Sequence, residues 1–341
     1  MRILFFGGTQ FVGRHMATHA VERGHEVTLF TRGKTNPGVV KGAEEIHGDR
    51  SGRARPDRRA NGGLGELAGL RFDRVIDVSG YVPRVVRQSA ELLEGATDHY
   101  TFVSTVSVYG DFSSPGINED APLGTMPDET VEDITGDTYG PLKALCENAV
   151  HEIYGHRCTI VRPGFVVGPF DYTDRFPYWC TRASRGGDVL APDDPHRPIQ
   201  FVDARDLASF TVDLTERPTH GYFNATGPAD PLTWGQFLAA CAEAAEQEVK
   251  LEWVPEAFLH DRGVDFRTEL PLYTPTDSPG GATIDCGRAL AAGLKFRALG
   301  STIADTLDWM RSEGRQPSVG MSPEREAEIL DAWRRSERYG S

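Results

Sequence analysis

The run Phe6-Gly7-Gly8-Thr9-Gln10-Phe11-Val12-Gly13-Arg14 decides the fold. It follows the apolar stretch Ile3-Leu4-Phe5-Phe6, which reads as a buried strand, and it opens an amphipathic helix over 11–23. Gly7 permits a tight turn, and Gly13 lets the helix lie against the strand. Amides at the helix start then face an anion, with the positive end of the helix dipole behind them. At the head of a chain that goes on alternating strands and helices, that anion is the pyrophosphate of a dinucleotide. Thr9, Gln10, Phe11 and Val12 lie between the glycines and belong to the same binding loop. Gln10 stands where the usual pattern has its middle glycine.

Working outward, strands are expected at 2–6, 26–30, 45–47, 74–78, 99–104 and 157–162, and helices at 11–23, 83–93 and 137–154. This rhythm predicts an α/β chain: a Rossmann-type doubly wound parallel sheet with right-handed crossovers over residues 1–165. Late returns to the sheet are expected near 199–202 and 221–225. A smaller, loop-rich C-terminal substrate lobe takes 166–198 and 226–315. Helices are expected in the second half at 204–214, 233–247, 285–292 and 302–313. A C-terminal helix and tail take 316–341, with Ser322-Pro323-Glu324 as the helix start. The basic, glycine-rich stretch 50–69 interrupts the rhythm and reads as a surface loop, with anion binding as the sharper alternative.

Composition narrows the partners. The chain has 341 residues and a formal net charge of −14, a surface that repels nucleic-acid backbones. No apolar stretch approaches the ~20 residues of a membrane span, and no secretion signal is seen. The five cysteines are scattered and form no CxxC pair, which reads as reduced thiols in a cytoplasmic protein. The ten histidines show no metal-ligand spacing, so no metal is expected.

Several strand ends carry candidate cofactor contacts. Thr31-Arg32-Gly33-Lys34 follows the second strand, where an acidic residue would select a free ribose hydroxyl. Arg32 can grip a 2′-phosphate bidentately and Lys34 adds a point charge, which predicts NADP(H) over NAD(H). Asp49 and Arg50 follow the third strand. Val78-Ser79-Gly80 ends the fourth, with Tyr81 just beyond, on the nicotinamide side of the cleft.

The catalytic pattern comes later. Tyr139 and Lys143 are four residues apart and share a helix face. A nearby ammonium lowers a phenol's pKa and suits it to acid–base work. Thr105, at the end of the fifth strand, is placed to hydrogen-bond a substrate oxygen, with Ser104 and Ser107 as fallbacks. Tyr178, Trp179 and Arg197 are candidate substrate contacts, although an aromatic cluster more often packs a core.

Together these residues resemble the short-chain dehydrogenase/reductase superfamily, in its extended, epimerase/dehydratase-like branch. The glycine loop, Val78-Ser79-Gly80, Ser104-Thr105, Val108-Tyr109-Gly110, Tyr139 to Lys143, Arg162-Pro163, Val167-Gly168-Pro169 and the segment 285–309 occur in that family's order. The resemblance implies Thr105 as the catalytic hydroxyl, Tyr139 as acid–base and Lys143 as its partner. It also implies that Pro163, Gly164, Phe165 and Val166 lie beside the nicotinamide, and that the chain forms a homodimer. Two positions depart from relatives. Sugar 4,6-dehydratases carry Asp-Glu after the catalytic Thr, where this chain has Val106-Ser107. Nucleotide-sugar epimerases commonly carry an Asn where this chain has Phe165. The leading expectation is therefore an NADP(H)-dependent oxidoreductase on a carbonyl or alcohol of a small molecule. The rivals are a nucleotide-sugar-type epimerase with a tightly bound dinucleotide, and a non-catalytic dinucleotide sensor or RNA-binding relative.

Overall fold

The computed structural model describes residues 1–52 and 63–339. The first half runs β1 (Arg2–Phe6), α1 (Phe11–Glu22), β2 (Glu26–Thr31), β3 (Glu44–His47), β4 (Arg74–Asp77), α2 (Pro83–Leu93), β5 (His99–Val103), α3 (Tyr139–Tyr154) and β6 (Cys158–Pro163). The second half continues with β7 (Val166–Val167), α4 (Arg175–Ser184), β8 (Gly187–Pro192), β9 (Pro198–Ile199), β10 (Val202–Asp203), α5 (Ala204–Glu216) and β11 (Gly221–Ala225). It ends with β12 (Leu232–Thr233), α6 (Trp234–Ala245), β13 (Val249–Val254), α7 (Glu256–Asp261), α8 (Gly287–Ala291), α9 (Leu299–Ser312) and α10 (Pro323–Tyr339).

Seven strands form one parallel sheet in the order β11-β6-β5-β4-β1-β2-β3. The order reverses between β1 and β4, so a crevice opens at their carboxyl ends. β1 shows why its sequence is apolar without alternation: both faces are covered. Ile3 and Phe5 enter the core under α1 and α5, with Met16, Ala17, Leu207 and Phe210. Leu4 and Phe6 enter the opposite core under α2 and α3, with Val86, Ala90, Cys146 and Val150. Pro83 opens α2, where its missing N–H costs nothing.

The C-terminal lobe is more ordered than its Pro- and Gly-rich sequence suggests. Residues 175–184 form α4, which puts Phe176, Trp179, Cys180 and Ala183 on one stripe at helical spacing. That stripe packs with Trp234 and Phe237 of α6 and Ile303 and Leu307 of α9 into a separate apolar core. β8 and β13 pair in parallel beside it. α10 belongs to the same body, since Ile329 and Leu330 are buried in its core and Glu326 pairs with buried Arg182.

The expected sheet returns are half right. Gly221–Ala225 joins the main sheet beside β6. The 199–202 stretch does not: β9 pairs antiparallel with β12, and β10 pairs with β7. Of the stretch 50–69, residues 53–62 lie outside the described residues, while Leu67 is buried against the sheet. The five thiols are buried and unpaired.

Candidate active site

The loop after β1 has the backbone that its glycines demand. Gly7 and Gly8 sit at φ +99° and +108°. A Cβ on Gly13 would lie 2.9 Å from the Gly8 amide nitrogen and 2.9 Å from Val78 Cγ2. Gly8, passed over in the sequence reading, is as constrained as its neighbours, because its Cβ would meet Leu29 at 2.8 Å. Phe11 is held at φ +36°, a strained value for a bulky residue and one that clusters at ligand sites. Thr9 is buried, and its carbonyl accepts from Asn36 Nδ2 at 3.3 Å, a contact the sequence did not suggest. Val12 packs against the core under α1. Gln10 holds the N-cap position with an extended backbone, and its side chain makes no capping bond among the described residues. The first-turn amides thus have no side-chain acceptor there, as an anion cradle requires.

On the adenosine side, Thr31 ends β2 and its Oγ1 accepts from the Gly33 amide at 3.1 Å. Arg32 and Lys34 are exposed there. Asp49 accepts from the Ser51 amide at 2.9 Å. Arg50 requires a correction, because it is not an open anion donor. Its guanidinium grips Asp77 at 2.7 and 2.9 Å, reaches Ser79 Oγ at 3.2 Å and lies over the Phe6 ring. Asp77 is fully buried and also accepts from Tyr100 Oη at 2.9 Å, so its carboxylate needs that countercharge. Arg50 thus braces the end of β4 and holds Ser79, next to Val78. Gly80 must be glycine, since a Cβ would come within 2.5 Å of Phe102.

Tyr139 is the first residue of α3. The helix reaches the turn at 106–108 through Gly140, whose Cβ would stand 2.0 Å from the Ser107 carbonyl oxygen. Thr105 Oγ1 accepts from the Ser107 amide at 3.1 Å and donates to Ser107 Oγ at 3.2 Å. Burial raises the Tyr139 pKa, and a hydrogen bond with Thr105 and then the charge of Arg175 oppose the rise. The Tyr81 ring stands 6.4 Å from that of Tyr139.

Lys143 corrects an expectation. Its ammonium is buried and donates to the carbonyls of Gly80 at 2.8 Å and Val103 at 2.7 Å. It lies 4.2 Å from the Phe102 ring centroid. Burial lowers its pKa to about 8. The lysine joins β4, β5 and α3 at the floor of the cleft, and the cation that favours the Tyr139 phenolate is Arg175.

The other end of the cleft holds two buried hydroxyls, Ser104 Oγ and Thr226 Oγ1, with no hydrogen-bond partner among the described residues. Thr226 presses on Gly164, where a Cβ would be 2.5 Å from its Oγ1. Pro163 ends β6, Gly164 and Phe165 are half-buried, and Val166 pairs with Val202. The uncapped amides, the glycine cradle and these orphaned hydroxyls fit a bound nicotinamide dinucleotide.

Residues 74–225 match the NAD dependent epimerase/dehydratase family. The match spans β4 to β11 and so includes Thr105, Tyr139 and Lys143. A curated relative, the chloroplast stem-loop binding protein of 41 kDa b from Arabidopsis thaliana, is 27% identical over 256 residues. The aligned stretch is 71% of this chain and 63% of that protein, less than two thirds of its length. The fold is similar to UDP-glucuronic acid 4-epimerase from Bacillus cereus in complex with NAD, with a TM-score of 0.67 and 15% identity over 92% of this chain and all of that one. It is also similar to WbmH of Bordetella bronchiseptica in complex with NAD+, with a TM-score of 0.64 and 18% identity over 92% of this chain and all of that one.

The substrate side differs from the sequence reading. Trp179 is fully buried and donates from Nε1 to the Pro271 carbonyl at 2.6 Å, and Tyr178 is buried beside it. Both build the lobe core and neither lines the cleft, because the α4 stripe turns them inward. Arg197 also turns to its own lobe. It donates to the Thr274 carbonyl at 2.8 Å, and its guanidinium stands 3.5 Å from Asp193 and 5.9 Å from the Tyr273 ring centroid. Ser107 and Tyr81 are exposed. The sequence reading missed Tyr172, which is 54% exposed and packs edge-on against Phe11, and Arg175. Tyr109 is structural: it accepts from Arg162 and donates to Asn224, beside the buried Arg162–Glu147 pair.

Proposed function

We propose that this protein is an epimerase that oxidises one carbinol carbon of a nucleotide-sugar-like substrate and re-reduces it on the other face, keeping its dinucleotide throughout. The observation that carries this reading is the clasp between the substrate lobe and the dinucleotide loop. Tyr172 packs on Phe11, the Arg14 guanidinium lies 3.7 Å from the Phe170 ring centroid, and His15 Nε2 is 3.0 Å from the Pro169 carbonyl. A lobe fastened to the cofactor loop suits a retained cofactor better than one exchanged at every turnover. The similar folds named above, a UDP-sugar epimerase with NAD among them, agree with it. Val106 and Ser107 in place of an Asp-Glu pair speak against dehydration.

The bound dinucleotide supplies the redox chemistry at the carbon. Tyr139 takes the proton of the substrate hydroxyl as the carbonyl forms and returns it on reduction. Thr105 holds the same oxygen, helped by the Ser107 turn that orients its hydroxyl. Ser104 and Thr226 offer hydroxyls to the nicotinamide end. Arg32 and Lys34 support the 2′-phosphorylated dinucleotide. A cytoplasmic homodimer is part of the same proposal. A second reading, a reductase that exchanges NADP(H), has those two cations in its favour.

Purified protein tests both readings. Epimerisation predicts a dinucleotide that co-purifies, and conversion of a UDP-sugar without added cofactor. Tyr139→Phe should lower that conversion about 10²–10⁴-fold. Turnover only with stoichiometric NADPH consumption would select the reductase.

A further inference from the structure

Arg175 is the first residue of α4, in the substrate lobe, and its guanidinium packs over Phe165, the residue that follows Gly164 after β6. Its Cζ lies 4.8 Å from the ring centroid of Phe165, just past β6, and its Nε donates to Thr173 Oγ1 at 3.1 Å. Arg175 and Tyr139 are close enough that each acts on the other's charge, and Tyr172 is within the same range of both. Thr105 also acts on the Tyr139 phenol, which puts the cation in the same neighbourhood as the seat proposed for the substrate hydroxyl.

Among the described residues the charge of Asp171 acts on it, but no carboxylate closes on it as an ion pair. Among the described residues no carboxylate lies within 4.0 Å of Arg175, and its two Nη groups make no hydrogen bond. Neighbouring arginines are closed: Arg182 pairs with Glu326, and Arg315 with Asp174. Asp171, on the same segment, is fully buried; its Oδ1 accepts from the Thr173 amide and hydroxyl, while Oδ2 has no partner among the described residues. A half-buried guanidinium with its fork open presents planar, bidentate geometry to an oxyanion. Arg197, the cation expected from sequence to meet a substrate anion, is turned away to Thr274.

We infer that Arg175 binds a carboxylate of the substrate, carried on a carbon adjacent to the one whose hydroxyl meets Tyr139 and Thr105. The substrate class is then a nucleotide-linked uronic acid rather than a neutral hexose. Phe165 backs the guanidinium and Thr173 fixes its Nε, leaving the Nη pair for the ligand. The inference rests on the reading of Tyr139 as the acid–base group, so its test measures binding apart from turnover.

Calorimetric titration with a UDP-hexuronic acid and the matching UDP-hexose is done on Tyr139→Phe and on Tyr139→Phe carrying Arg175→Gln or Arg175→Lys. Arg175→Gln should weaken the uronate about 10- to 100-fold and the neutral sugar less than about 3-fold. Arg175→Lys should fall between. Equal losses for both ligands, no loss for either, or no binding of either would overturn the carboxylate subsite. A preserved difference in binding, together with no conversion of either sugar by the unmodified protein, would sink the epimerase reading and leave the subsite standing.

Discussion

Gly140 sits against Ser107 so closely that a Cβ would stand 2.0 Å from the Ser107 carbonyl oxygen. The contact seats the start of α3 on the turn that orients Thr105. It therefore sets the distance between the two residues that would share the substrate oxygen. Alanine there cannot be accommodated by a rotamer change, because the obstacle is backbone. Gly140→Ala should cost about 1–3 kcal/mol of stability as an overpacked contact. It should lower turnover more than Gly300→Ala, a substitution in α9 with nothing within 4 Å of the added carbon. Urea midpoints and kcat of the two variants make the comparison, and an active, stable Gly140→Ala would contradict it.

Lys143 makes stability depend on pH. Its folded pKa, lowered by burial to about 8, lies below the ordinary 10.5. Between those values the unfolded chain holds the proton and the folded chain does not, so stability rises with pH. Relative to Lys143→Met, the unmodified protein should gain up to roughly 3 kcal/mol as pH rises from below 8 to 10.5. Unfolding both proteins in urea at pH 7 and pH 10 measures it. A difference that does not change with pH would show that the lysine is not buried as a cation.

Asp77 and Arg50 form a buried pair whose separation exposes a charge. Asp77→Asn keeps the shape but leaves Arg50 without an anion, at a cost of about 3–5 kcal/mol. Because Arg50 also holds Ser79, dinucleotide affinity should fall in the same variant. Thermal unfolding and NADPH titration check the two effects. A variant as stable as the parent would mean that Arg50 finds another partner.

The local features were legible because they are short-range. The apolar run before Gly7 and the glycine spacing up to Gly13 constrain a strand, a turn and a helix whatever surrounds them. The i,i+4 spacing placed Tyr139 and Lys143 on one helix, as found. The stripe in 175–184 was equally readable and was obscured by the loop-like residues around it.

Partners were not legible. Arg50 looked like a cofactor contact until the sheet order set β4 beside β1, with Asp77 beneath it. Trp179 and Tyr178 could be read as core packing or as a substrate wall until α4 faced them into the lobe. Lys143 had the right spacing to tune Tyr139, but the carbonyls of Gly80 and Val103 hold its ammonium. The sequence by itself determined the glycine-rich turn after β1, the parallel α/β order and the places of Thr105 past the end of β5 and Tyr139 at the start of α3, since each follows from local backbone geometry or from the order of elements. Only the tertiary structure decided which charges are closed on each other and which stand open, because periodicity shows that a face will be covered but not what covers it.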